Sequence, residues 1–372
     1  MSLRPVLLLS AALLGAAPGV AVAQAPAPRA AAAEATDVRR AITLLDRGLF
    51  DEARLALEPL VGAGDPDATY VLGYIHARGL GTPADDATAR RLFVAAAMDG
   101  QADAQFALGE LAYRGQGVRR DRARAYAWYD LAAAKGHAKA LYMLGVMHAD
   151  GTHAPQDLTR AADLYRRAAA AGSLRAMHQL GSLYLEGRGV AQSYAEAARW
   201  FEAAAREGDA ESQYNLALLY DSERLPGPSD LDAAVRWMRQ AAANGMPKAK
   251  IAMGLFSLRG RGTEQSDAAA RRWFAQAAAD EDAEGLFLYA AALAEGLGGP
   301  PDRAAALAHA EAALRASAGD PIEVIEERRA LRDQLRAASA RPAVRTPSLG
   351  TPPAVAAAAP TVEPKRKRGL RP

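Results

Sequence analysis

No cysteine occurs in the 372 residues. That excludes a disulfide framework, a thiolate nucleophile, a lipidated cysteine and a cysteine-ligated zinc site. Histidine is scarce, and its six copies are the only soft metal ligands left. Aromatic residues make up 6% of a chain that is 50% apolar, so alanine carries much of the apolar share. Such a composition suits helices packed at short range better than one broad globular centre. A strong charge of one sign is also missing: the formal net charge of +2 points to no polyanion partner by itself. Beyond the N-terminus, no apolar run approaches the ~20 residues of a membrane span.

The N-terminus is the exception. Arg4 precedes an apolar run from Val6 to Val20, which Gly15, Pro18 and Gly19 interrupt, and Ala21-Val22-Ala23 gives the small-x-small pattern of a signal-peptidase site. Residues 1–23 are therefore expected to be a cleaved signal peptide, and the mature protein to be periplasmic or secreted. Residues 24–35, rich in Ala and Pro, read as a flexible linker.

A repeating feature dominates the rest. Gly181 lies inside a helical pattern, where glycine costs about 1 kcal/mol relative to alanine. The same Leu-Gly pair occurs at Leu72-Gly73, Leu108-Gly109 and Leu144-Gly145, each 36 residues apart, and the slot continues at Leu216-Ala217 and Met253-Gly254. A repeated local cost implies a packing reason: two helices cross there so closely that a Cβ would clash. Around each slot the sequence reads as helix, Gly-rich turn, helix. Leu92, Trp128, Leu164, Trp200, Trp237 and Trp273 occupy one second-helix slot, and all four tryptophans fall in it. These indoles are expected to mark buried structural layers. A hairpin this small cannot bury its own apolar face, so copies must stack into a solenoid.

Units such as Ala104 to Gly136, AQFALGELAYRGQGVRRDRARAYAWYDLAAAKG, resemble Sel1-like repeats, a tetratricopeptide-related family. The resemblance covers about two thirds of the chain. It implies an all-α, right-handed α-solenoid of stacked helix-turn-helix units that binds other proteins, with motif residues that are structural rather than catalytic. The expected layout has a tetratricopeptide-like capping hairpin at 36–66, in which Asp51 caps the second helix. A repeat solenoid follows at 67–318, six clear units and a degenerate seventh with Ala290 in the glycine slot and His309 in the tryptophan slot. A capping helix at 320–340 presents Ile322, Ile325, Leu331 and Leu335 on one face, and a basic Pro/Ala-rich tail at 341–372, unable to bury a core, is expected to be disordered. Seven basic residues against Glu363 give that tail a charge of +6, which leaves −5 for residues 24–340 once Arg4 is also set aside.

Chemistry-bearing constellations are few. His148, Asp150 and His153 are close in sequence, but His148 fills a slot held elsewhere by His76, Tyr184 and Tyr220, so it reads as an aromatic packing residue. The Gly-x-Gly pairs follow no strand and belong to turns, not to a phosphate loop. No nucleophile, base and orienting carboxylate are brought together by spacing. No catalytic residue, cofactor or metal site is expected. If a partner binds, its default surface is the first-helix face turned away from the second helices. Helical phase places Tyr74, Glu110, Val146, Ser182, Leu218 and Leu255 there in one row and Met143, Gln179 and Asn215 in the next. Their chemistry varies from unit to unit, as residues encoding a partner on a repeating frame do. The expectation is a non-catalytic adaptor or regulator that binds proteins in the bacterial cell envelope, with no nucleic-acid partner. The alternative is an envelope- or peptidoglycan-associated factor that uses the groove as a substrate cleft, or its basic tail as a weak anchor on anionic membrane or cell-wall polymer.

Overall fold

The computed structural model describes residues 28–153 and 155–340, with side chains from Asp37 to Ala338. The expected leader and basic tail lie outside them. The described residues form seventeen helices and no strand. The N-terminal hairpin is α1 (Pro28–Asp46) and α2 (Phe50–Gly62). Five hairpins follow: α3 (Pro66–Arg78) with α4 (Asp86–Met98), α5 (Ala102–Arg114) with α6 (Arg122–Ala134), α7 (Ala138–Asp150) with α8 (Leu158–Ala170), α9 (Leu174–Glu186) with α10 (Tyr194–Arg206), and α11 (Ala210–Asp221) with α12 (Leu231–Ala243). Then come α13 (Pro247–Arg259) with α14 (Asp267–Ala279), α15 (Ala283–Glu295) with α16 (Arg303–Ala316), and the single α17 (Ile322–Ala340). The fold divides into two compact units between Met246 and Pro247. Within each unit, every helix packs on the next one in the chain.

The helix starts are written into the sequence. Asp85, Asp121, Asp157, Ser193, Asp230, Ser266 and Asp302 each accept a hydrogen bond from the backbone N–H three residues on, which satisfies one of the orphan donors of a second helix. The same residues close the preceding turn, their own N–H groups donating to the carbonyls of His76, Ala112, His148, Tyr184, Tyr220, Ser257 and Leu293. In the unit of α11 and α12 this bond spans one more residue than elsewhere. The longer turn there is thus absorbed locally, with Ser222 extended (φ −100°) where the other units carry a left-handed glycine.

The mid-helix glycines are explained by close approach. A Cβ added at Gly109, Gly145, Gly181 or Gly254 would lie 2.4–2.7 Å from a ring carbon of Tyr129, Tyr165, Phe201 or Phe274. Where the slot holds Ala217, the position equivalent to those rings is Met238, and where it holds Ala290 it is Ala310. Facing residues thus shrink or soften when the glycine gains a methyl.

The glycines that close the units take positive φ, between 78° and 92° from Gly100 to Gly245. In the next unit that position is Glu281, whose φ of 59° makes it the one non-glycine with positive φ among the described residues. A side chain costs about 1 kcal/mol in this region. Glu281→Gly is therefore expected to raise the unfolding free energy by about that amount, measured by urea unfolding.

Several expectations need correction. Helix α1 starts at Pro28, so 28–35 is not an open linker. Proline suits a first helical position, and the alanine run after it has the highest helix propensity. Asp51 does not cap α2: Leu49 holds that place, and Asp51 sits in the first turn, 3.9 Å from Arg54. The four tryptophans are half-buried. The enclosed position is the residue after the slot, Tyr129 and Phe201 being fully buried and Phe274 nearly so. Trp128 instead packs against the cluster around Phe93, Trp200 against that around Tyr165, and Trp237 against that around Phe201. These three indoles therefore seal joints between successive hairpins. On α17, Leu335 is buried and Leu331 packs beside it, but Ile322 is 55% exposed. The enclosed residue one turn before Leu331 is Arg328, which is 4% exposed.

Candidate partner-binding face

The first helices of the N-terminal unit carry an aromatic row at the same register: Tyr70, Phe106, Tyr142, His178 and Tyr214. Each is half-buried. The first four lie over the enclosed ring of their own hairpin, with centroids 5.7, 5.6, 5.8 and 5.5 Å from Phe93, Tyr129, Tyr165 and Phe201. Rings held at this separation form offset or tilted pairs and lock one another's rotamers. Burial pushes the Tyr70 hydroxyl well above its usual pKa, so its phenol stays protonated. The sequence reading did not identify this row, although one aromatic or His per 36 residues was there to be counted.

The expected partner row lies one helical turn further along. Tyr74, Glu110, Val146 and Ser182 are half-buried, and Leu218 is 38% exposed. Met143, Gln179 and Asn215 are half-buried on the neighbouring line. The structure gives some of these residues work inside the protein. Glu110 accepts the Tyr129 hydroxyl at 2.6 Å and pairs with Arg114 at 2.5 Å. Burial, and then that acceptor, push the Tyr129 hydroxyl far up. Ser182 donates to the carbonyl of His178 in its own helix at 3.2 Å. Met143 and Val146 pack against the core of their hairpin. The Arg78 guanidinium stands 5.6 Å from the Tyr74 ring centroid. Leu255 belongs to the C-terminal unit and packs in the Phe274 cluster.

Polar contacts stitch neighbouring first helices at their N-terminal ends. His137 stacks on Phe106 at 4.8 Å and places Nε2 3.3 Å from Asp103. His178 Nδ1 lies 3.0 Å from Ser212 Oγ and 3.6 Å from Asp209, and its Nε2 lies 3.6 Å from Glu211. Ser212 is fully buried, so its hydroxyl is closed to a substrate, and these contacts join one helix to the next. Burial alone would raise the Asp209 carboxyl, but hydrogen bonds from His178 and Ser212 and the His178 charge outweigh it and hold the carboxyl below its usual range. A depressed folded value stabilises the fold above the unfolded carboxylate range, near ~4, and that contribution is lost as pH falls through the folded value. Asp209→Asn is thus expected to lower stability by about 1 kcal/mol at neutral pH. Its urea-unfolding curve should converge with that of the unsubstituted protein in acid.

His148 and His153 both attach to Tyr126. The Tyr126 hydroxyl lies 3.3 Å from His148 Nε2, and the His153 ring is 4.7 Å from the Tyr126 ring. Burial, and next the Arg160 charge, push the His148 pKa down. Among the described residues no group of three or more His, Asp or Glu is placed to hold a metal ion, and no helix is long and apolar enough to cross a membrane.

A search of the curated proteins finds no match. Among solved structures, the chain is similar to a Sel1 repeat protein from Oxalobacter formigenes, at 29% identity over 65% of this chain and 99% of that one, with a TM-score of 0.59. It is also similar to c5321, a protective antigen of uropathogenic Escherichia coli with an SLR fold, at 20% identity over 87% of this chain and 90% of that one, with a TM-score of 0.42. The family model for the Sel1 repeat matches seven times, at residues 66–101, 102–137, 138–173, 174–209, 210–246, 247–282 and 283–317. These matches follow the hairpins from α3 to α16, and the chain belongs to the Sel1 repeat family.

Proposed function

We propose that this protein is an exported, non-catalytic scaffold that binds another protein in the bacterial cell envelope. The partner docks on the first-helix face of the N-terminal unit. One observation carries this reading: a row of half-buried rings, Tyr70, Phe106, Tyr142 and His178, is fixed at one register by the enclosed rings beneath it, beside positions whose chemistry changes from unit to unit. Rigid aromatic anchors ringed by variable side chains are what a selective protein surface requires, since aromatic residues dominate binding hot spots and lose little entropy on docking. Export rests on the sequence of residues 1–23, with its apolar run and Ala21-Val22-Ala23.

The test is affinity capture from an envelope extract with the mature protein, followed by recapture of each recovered protein with variants. Tyr74→Ala combined with Leu218→Ala should abolish recovery of the partner. Arg90→Ala, an exposed change on the second helix α4, should leave it intact. Equal recovery with all three proteins would reject the face as the docking surface.

A further inference from the structure

The turn between α5 and α6 carries four arginines within seven residues. Residues 118–124 read Val-Arg-Arg-Asp-Arg-Ala-Arg, and Val118, Arg119, Arg120, Asp121, Arg122 and Arg124 line one open concavity. Four guanidinium groups therefore surround it with a single carboxylate. That carboxylate is already committed, because Asp121 caps α6 by accepting from the Arg124 N–H at 2.9 Å. Arg120 is fixed in place: its Nε donates to the Tyr113 carbonyl at 3.1 Å, and its guanidinium stands 5.8 Å from the Tyr113 ring centroid. Elsewhere on the surface, Arg54, Arg160, Arg166, Arg188, Arg199 and Arg206 each have a carboxylate within 4 Å. Arg119, Arg122 and Arg124 have no such neighbour among the described residues, as exposed Arg90, Arg91 and Arg175 have none.

The placement also runs against the helix. Arg122 and Arg124 occupy the first turn of α6, which has no acidic residue, as α8 and α16 have none, whereas α4, α10, α12 and α14 each carry one there. Cations beside the positive end of a helix macrodipole are unfavourable by a few tenths of a kcal/mol or more.

The geometry points to a docking site for an acidic segment of a partner protein, whose consecutive carboxylates the Arg119, Arg120, Arg122 and Arg124 guanidinia receive together. Guanidinium forks donate to carboxylates two bonds at a time, and the α6 N-terminus adds field of the same sign. The proposal deepens the protein-binding reading and rests on it. It assigns the partner a charge, where the aromatic row assigns only an apolar anchor.

The probe is a fluorescent peptide with a run of glutamates, titrated into the full chain by anisotropy. The same peptide with glutamines serves as control. Arg119→Gln with Arg122→Gln is expected to weaken binding of the glutamate peptide by about tenfold or more while helicity stays unchanged. Arg199→Gln with Arg206→Gln removes the same charge from a paired surface and should change it less than about twofold. Equal losses in the two double variants, no preference for glutamate over glutamine, or displacement by pyrophosphate at concentrations where free glutamate does nothing would each overturn the proposal. The last would mark a phosphate site instead. Failure here, with partner capture still abolished by Tyr74→Ala/Leu218→Ala, rejects the arginine site and leaves the aromatic face standing.

Discussion

Gly181→Ala is expected to destabilise the protein by about 2 kcal/mol. Helix propensity alone gives the opposite sign, a gain of about 1 kcal/mol. Packing wins because the new Cβ would sit 2.7 Å from both Cδ1 and Cε1 of Phe201. That ring cannot retreat, being fully buried with Ala197, Ala204 and Ala205 at or near zero exposure beside it in sequence. The unit of α11 and α12 shows what relief looks like: Ala217 stands in the glycine slot, and the fully buried Met238 takes the place of the ring. Methionine bends where phenylalanine cannot. Phe201→Met alone should therefore cost about 1 kcal/mol, yet added to Gly181→Ala it should recover stability. Urea unfolding of the four proteins in the cycle reads both signs. A stabilising Gly181→Ala would show the two helices to be further apart than a 2.7 Å approach of Cβ to the Phe201 ring allows.

The second large effect is expected at Arg328. Its guanidinium is 4% exposed and joins three elements: Nη1 donates to the Ser317 hydroxyl and to Asp320, and Nη2 to Glu284 at 3.1 Å. Ser317 in turn donates to the Ala313 carbonyl at 2.7 Å. Arg328→Met keeps most of the volume but leaves two carboxylates and a buried hydroxyl without their donor. Both carboxylates are 37% exposed, so water softens the loss. The expected destabilisation is about 2–3 kcal/mol, below that of a fully enclosed pair. Because repeat arrays open locally, the loss should concentrate at the C-terminal end. Hydrogen exchange should speed up across α15 to α17, while α3 to α10 keep their protection.

The two sites differ in how far they could be read from the chain. Gly181 was legible because its cost recurs every 36 residues, and a recurring local cost demands a recurring contact. The identity of that contact was less visible. Trp200 is the largest residue in its helix and drew attention as the core residue, but Phe201, one residue on, points inward. A step of one residue turns a helical side chain by about 100°, enough to move the indole from core to joint. Arg328 was illegible for another reason. It sits at apolar spacing with Val324, Leu331 and Leu335, and only the fold brings Glu284 to it from 44 residues away. Charged residues at stripe positions look like errors until their partners are in place. Of the candidate face, helical phase located the row from Tyr74 to Leu218. It could not tell that the Glu110 carboxylate is held from beneath by the Tyr129 hydroxyl, since that contact crosses the hairpin.

Glu110, Met143 and Val146 serve both frame and face, whereas Tyr74, Gln179 and Leu218 belong to the face alone, and that separation is the central physical claim. Thermal unfolding of one triple variant, Tyr74→Ser/Gln179→Ala/Leu218→Ser, tests it most directly, followed by circular dichroism in the helical band. Tyr74 and Gln179 are half-buried, Leu218 is 38% exposed, and none fills a glycine or ring slot. The expected midpoint lies within about 2 °C of the unsubstituted protein. A midpoint lowered as far as that of Gly181→Ala would contradict the account, because it would place those residues in the frame.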